Sequence, residues 1–143
     1  MKSNIVELRY IKHLVAKSLV LVASLATIAP NPANSAPPPT QVGKCADTFI
    51  QRISTRLGGS LTENQIEGLG SSVKLTNGIY LVSYDNIEQL RVARPQDKVK
   101  VCLIEIPENC PPGDNRGRVY GLLNYRTNGY VEMPDSQHRC GGA

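Results

Sequence analysis

The loop Cys110-Pro111-Pro112-Gly113-Asp114-Asn115-Arg116-Gly117-Arg118 is the densest run of chemistry-bearing residues in the sequence. Its prolines restrict φ, its glycines permit unusual backbone angles, and Asp114, Arg116 and Arg118 present both signs of charge. Paired guanidinium groups on a rigid loop could grip a carboxylate, sulfate or phosphate in bidentate fashion. The same residues also suit a tight turn, with an Asx-type hydrogen bond from Asp114 and local Asp–Arg pairing. Asp114, Arg116 and Arg118 are therefore candidate binding residues, joined by Tyr120 and His138.

A second stretch, Pro134-Asp135-Ser136-Gln137-His138-Arg139-Cys140, holds Asp, Ser and His close together. Triads are assembled from residues far apart in sequence and oriented by a rigid shell, so adjacency alone makes no catalytic unit. A small hydrolase or lyase using His138 with Asp135 or Asp114 is the enzymatic alternative. Asp85, Glu88, Asp97 and Glu105 show no spacing that singles out a glycosidase pair. Tyr80, Tyr84, Tyr120, Tyr125 and Tyr130 lie on expected strands or hairpin ends, where cross-strand packing explains them, although a sugar- or partner-binding face of tyrosines and arginines is an alternative. No phosphate-cradling glycine loop, nucleophile elbow or metal motif is present, and no cofactor is expected.

These residues must be carried by a small body. The chain has 143 residues, enough for one domain. Four of its 16 basic and one of its 12 acidic residues fall within the first 36, leaving the remainder at a net charge of +1. So small an excess gives no ground for nucleic-acid binding.

Lys2, Arg9, Lys12 and Lys17 precede the apolar stretch Leu19 to Ala29, which is followed by Pro30, Pro32 and Ala33-Asn34-Ser35-Ala36. That is the order of a secretory signal: Ala33 and Ser35 suit a cut after Ser35, and a cut after Ala36, the outer bound of the segment, puts the less suitable Asn34 at −3. The apolar core is about half the roughly 20 residues needed to span a bilayer. Residues 1–36 are thus read as a cleaved signal, 37–44 as a flexible proline-rich leader and 45–143 as a single domain, periplasmic or secreted, with no membrane span after cleavage.

Export puts Cys45, Cys102, Cys110 and Cys140 into an oxidising compartment, so two disulfides are expected. Zinc is disfavoured, because neither Cys-x2-Cys nor His-x3-His spacing occurs and His138 is the only histidine after the cut. Four cysteines allow three pairings. Pro107-Glu108-Asn109 can reverse the chain, which favours Cys102 with Cys110 and leaves Cys45 for Cys140, although spacing does not decide among the three.

From Cys45 onward, short β-rich runs separated by turn residues predict an all-β fold: a small disulfide-stapled barrel or sandwich of five to six strands. Asn77-Gly78 between Val73–Thr76 and Ile79–Tyr84 predicts a type I′ hairpin, and Thr127-Asn128-Gly129 repeats the device between 119–125 and 130–133. Lys98–Ile106 reads as a central strand ended by Pro107. Phe49, Ile50, Ile53 and Leu57 fit a helix face, while Thr48, Ile50, Ile53 and Thr55 favour a strand, the preferred reading over 48–57. Thr62-Glu63-Asn64-Gln65 has capping-box form and predicts one helical turn.

Asn77-Gly78 with Leu81–Asp85, Val101-Cys102-Leu103 with Ile106-Pro107, Cys110–Asp114 with Arg116-Gly117-Arg118, and Pro134–His138 with Cys140–Ala143 together resemble a family of small exported cyanobacterial proteins. The resemblance covers most of residues 45–143 and is most specific in its last two blocks. The chain departs from it near Ser54, at Arg94-Pro95-Gln96-Asp97, where the family has Arg-x-Gly-Asp, and at Asn124-Tyr125-Arg126-Thr127, where it has Asn-Leu-Arg-Thr. The resemblance implies a compact secreted domain in a cell-envelope or periplasmic setting and transfers no catalytic residue. The expected function is a non-catalytic binding or structural domain whose partner is an envelope protein, a glycan or a small anion. One form of it is an inhibitor of an envelope hydrolase.

Overall fold

The computed structural model describes residues 35–61 and 69–142. Nearly all of the signal segment and the expected helical turn at 62–65 lie outside the described residues. The elements in chain order are β1 (Cys45–Ser54), β2 (Ser71–Leu75), β3 (Tyr80–Ser83), the short helix α1 (Glu88–Arg91), β4 (Lys98–Glu105), β5 (Val119–Asn124) and β6 (Tyr130–Pro134). The six strands form one antiparallel sheet in the order β3-β2-β1-β4-β5-β6. The all-β expectation holds, and residues 48–54 belong to a strand, as their β-branched side chains favour.

β1 is the hinge of this sheet. Residues Cys45–Phe49 pair with β4, and Ile50–Ser54 pair with β2, with an irregularity in register between Ile50 and Arg52. A bulge of this kind bends a strand and increases its twist. The sheet curls until β3 and β6 come into contact, giving a half-barrel. Its concave side holds Ile50, Val73, Leu75, Leu81, Val99, Val101, Leu103, Leu122 and Met133, all buried. Each such side chain contributes roughly 1.5–3 kcal/mol on burial. β4 is central, as expected, but its faces differ: Val99, Val101 and Leu103 point inward while Ile104 is exposed.

Neither hairpin has the expected type I′ turn. Between β2 and β3, Gly78 N donates to Leu75 O at 3.1 Å and Leu75 N to Ile79 O at 2.8 Å, which encloses Thr76, Asn77 and Gly78. Only Gly78 has positive φ, at 93°. Thr76 is drawn into this loop because its amide donates to Phe49 O on β1. Between β5 and β6, Asn124 N donates to Gly129 O at 2.9 Å, so the loop is Tyr125–Asn128. Asn128 takes the left-handed position at φ 54°. The Asn124 carboxamide accepts from the Arg126 and Thr127 amides and fixes this longer turn.

The disulfides correct the favoured pairing: they join Cys45 to Cys102 and Cys110 to Cys140. Cys45 stands directly opposite Cys102 in the β1–β4 register, with Cα atoms 4.0 Å apart. That close approach uses Cys102 across the sheet, so the local turn at Pro107–Asn109 cannot claim it. Two disulfides are consistent with an oxidising compartment.

Residues 37–44, expected as a flexible leader, are attached at both ends. Ala36 N donates to Asp47 O at 3.0 Å, Gly43 N donates to Leu103 O at 2.8 Å, and Pro39 between them is buried. The Ser35 hydroxyl bonds those of Thr48 and Thr76.

Candidate functional site

The 111–118 loop and the C-terminal stretch are folded as one unit. Asp114 N donates to Pro111 O at 3.0 Å, closing a turn with Pro112 and Gly113 at its corners. Gly113 has φ 84°, as a type II turn requires of its third residue. Four residues before this turn, Pro107 follows the end of β4, and the Cys110–Cys140 disulfide then clamps the loop to the tail. Cys140 N donates to Arg116 O at 3.0 Å, and Asp135 N to Arg118 O at 2.9 Å. Gly117 has φ 95°, and a Cβ there would lie 2.9 Å from the Arg139 Cα, so this crossing of loop and tail needs glycine.

Asp114 is an internal hub. Its carboxylate accepts from Arg116 Nε at 2.9 Å and Nη2 at 2.8 Å, from Arg116 N at 3.2 Å and from Gly141 N at 3.0 Å. The Arg116 guanidinium, then the Gly141 amide, hold its carboxyl far below the usual carboxylate range. Arg116 also donates to Gly142 O at 3.2 Å. The Asp–Arg pairing anticipated as the plainer reading of this loop is what the fold uses, and Arg116 is therefore mostly occupied.

Arg118 differs. No ion pair joins it to a carboxylate among the described residues. Its backbone is held by Asp135, whose Oδ1 accepts from Gly117 N at 2.7 Å and Arg118 N at 3.1 Å. Its Nε is buried and has no hydrogen-bond partner among the described residues. The loop and Asp135 line an open depression of about 580 Å³, with Arg116 and Arg118 among the lining residues.

Tyr120, expected at the binding surface, is only 4 % exposed. It sits on the inward face of β5 opposite Met133, because the strand's alternation places residues 120 and 122 in the core. Burial pushes its phenol up, and the neighbouring Arg118 guanidinium offsets part of that shift.

His138 is exposed, and among the described residues its only hydrogen bond is from its backbone N to the Ser136 hydroxyl. Asp135 is engaged by two amides and Asp114 by Arg116 and Gly141, so the carboxylates nominated beside His138 serve the backbone and Arg116. Of the other carboxylates, Asp97 is buried in a network with Asn124 and Arg126, Glu88 pairs with Arg91, and Glu105 pairs with Arg139. They do not converge.

Sequence reading missed a trio where three strands end. Arg56, just beyond β1, stacks on the Tyr84 ring, just beyond β3, at 4.6 Å. Gln137, three residues beyond β6, accepts from Arg56 Nη1 at 3.0 Å and from the Tyr84 hydroxyl at 3.5 Å. A lone arginine after a strand carries no motif, so only the curl of the sheet reveals this meeting.

Among the described residues no group of three or more His, Cys, Asp or Glu is placed to hold a metal ion, and no helix is long and apolar enough to cross a membrane. Comparison of the chain with protein-family models, curated proteins and solved structures found no match in any of the three.

Proposed function

We propose that this chain is a non-catalytic binding domain of the periplasm or cell envelope, whose cystine-clamped 111–118 loop offers Arg118 to an anionic group on its ligand. The observation that carries this reading is the state of Arg118: it lines the depression and among the described residues has no carboxylate partner, whereas Arg116 beside it is neutralised by Asp114. Arg118, its backbone amide fixed by Asp135 on a cystine-clamped loop, is arranged in advance, which limits the entropy lost on binding. The disulfides and the sequence order of the export signal support the extracytoplasmic setting. A rigid loop of this kind also suits an inhibitor that plugs the active site of an envelope hydrolase.

The test is a titration of the exported protein with acetate, followed through the Arg118 Nε–H and the 113–118 amide resonances. Saturable shifts in the native protein and their loss in Arg118→Ala are expected. Shifts that survive unchanged in Arg118→Ala, or no saturable shift, would remove the loop as the binding element.

A further inference from the structure

Two acids and two arginines line the depression at the 111–118 loop, so its charges balance. They are not used alike. Asp114 and Arg116 form a bidentate pair and neutralise each other. Arg118 and Asp135 are the remaining two, and no ion pair joins them. Asp135 commits only one oxygen to the backbone: Oδ1 accepts from Gly117 N and Arg118 N, while Oδ2 has no hydrogen-bond partner among the described residues and is not buried.

Both charges act on one neighbour. Besides the burial that pushes its phenol up, Tyr120 feels the Arg118 guanidinium, which lowers it, and the Asp135 carboxylate, which raises it. An unpaired cation and an unpaired anion thus stand near the same phenol and border the same opening. A simple anion drawn to Arg118 also meets the charge of Asp135, and the balanced lining gives it no net attraction. A ligand that carries both signs is drawn at both points.

We propose that the depression is a zwitterion site, in which Arg118 takes the carboxylate and Asp135 the ammonium of one small ligand, an α-amino acid or a short peptide with both termini free. This rests on the reading of Arg118 as an anion contact and names the class of ligand for it. The guanidinium offers a fork that matches a carboxylate, and the free oxygen of Asp135 accepts from the N–H donors of an ammonium. In an α-amino acid the two charged groups lie about 3 Å apart, and a charge-assisted bond of about 2.8 Å at each end lets it bridge groups that stand too far apart to pair directly. The volume of about 580 Å³ is ample for such a ligand. Asp135 N donates to Arg118 O at 2.9 Å and the Asp135 carboxylate accepts from the Arg118 amide at 3.1 Å, so the two residues are locked to each other through the backbone before a ligand arrives.

The experiment titrates the exported, disulfide-bonded protein at neutral pH with glycine, acetate, N-acetylglycine and glycylglycine, followed through the Arg118 Nε–H and the 113–118 amide resonances. Glycine should bind about fivefold more tightly than acetate or N-acetylglycine, the size of one partly exposed ion pair. Asp135→Asn keeps an oxygen for the Gly117 and Arg118 amides and removes the charge. In that variant glycine should lose its advantage, and acetate should bind more tightly than to the native protein because a repelling charge is gone. Tighter binding of glycylglycine than of glycine would assign a peptide with free termini, and the reverse a free amino acid. Thermal melts separate lost binding from lost folding, and the comparison of glycine with N-acetylglycine on the native protein needs no variant. Glycine that binds no tighter than acetate and N-acetylglycine, or an advantage that persists in Asp135→Asn, overturns the zwitterion site and leaves Arg118 as a plain carboxylate contact. No saturable shift with any of the four compounds overturns both readings.

Discussion

Asp97, on the turn before β4, accepts from Arg126, on the β5–β6 loop, through Nε at 2.6 Å and Nη2 at 2.8 Å. The same carboxylate takes the Asn124 carboxamide at 2.7 Å and the Arg94 amide at 2.9 Å. Burial pushes the Asp97 carboxyl up, but the bonds from Arg126, Asn124 and Arg94 outweigh it and hold it below its ordinary 3.8. Arg126 continues to Val92 O at 2.6 Å, so one buried acid fastens two loops at the same end of the sheet.

Replacing Asp97 with Ala strands the Asn124 and Arg94 donors and should cost about 3 kcal/mol, read as a lower urea midpoint with an unchanged slope. The pH dependence follows from the direction of the shift. Because the folded carboxyl titrates below 3.8, the unfolded chain takes up its proton first as pH falls. The stabilisation is therefore complete above 3.8 and is lost as pH falls below it through the folded value. Asp97→Asn should flatten this acid limb; a limb as steep as in the native protein would show that Asp97 does not set it.

Gln96 offers the opposite opportunity. It follows Pro95 at φ 73°, and Asp97 N donates to Arg94 O at 3.1 Å, a type II turn with a side chain where glycine is preferred. The left-handed region costs a non-glycine residue about 1–2 kcal/mol, of which part is returned by the greater freedom that glycine gives the unfolded chain. Gln96→Gly should therefore raise stability by about 0.5 kcal/mol, seen as a rise in the melting temperature of a few degrees. A fall would mean that the Gln96 side chain contributes more than its backbone strain costs.

The disulfides close loops of 57 and 30 residues in sequence separation. In the chain-entropy model each is worth about 4 kcal/mol. Peptide mapping under non-reducing conditions should recover Cys45 with Cys102 and Cys110 with Cys140. Serine at Cys110 and Cys140 should lower the melting temperature but leave the β1–β4 pairing intact, as amide exchange at Val99 and Val101 would report. Loss of protection there would mean that the loop and tail support the sheet directly.

What was legible in the sequence follows from range. The all-β class, the central position of β4, the hairpin pairs and the Asp114–Arg116 turn all rest on residues close together in the chain, where alternation and turn chemistry act. The cysteine pairing rests on the register of β1 against β4, which no local turn encodes, and Pro107–Asn109 drew attention to the wrong partner. Tyr120 was misplaced by a single step of alternation, since inward and outward positions differ by one residue. Arg56 and Gln137 meet across 81 positions, only because a bulged β1 curls the sheet until its strand ends converge. The hairpin loops were misjudged because Thr76 and Asn124 bond outside the two residues that define a type I′ turn.

The segment before β1 yields the last prediction. β1 pairs with β4 along its first half and with β2 along its second, so the first half has one edge left over. Ala36 covers part of it through its bond to Asp47 O, and Asn77 Nδ2 ties the Ala36 carbonyl to the β2–β3 loop at 3.3 Å. Burial of Pro39 adds roughly 1–2 kcal/mol, and the two hydrogen bonds add about 1 kcal/mol each. A protein beginning at Ala36 keeps these contacts, its terminal ammonium donating to Asp47 O in place of the amide. One beginning at Gln41 loses them and should be less stable by about 3 kcal/mol, with faster amide exchange around Thr48 and Phe49. Equal stability and equal exchange in the two proteins would show that residues 36–40 add nothing to the fold, and that the edge of β1 is held by Thr76 alone.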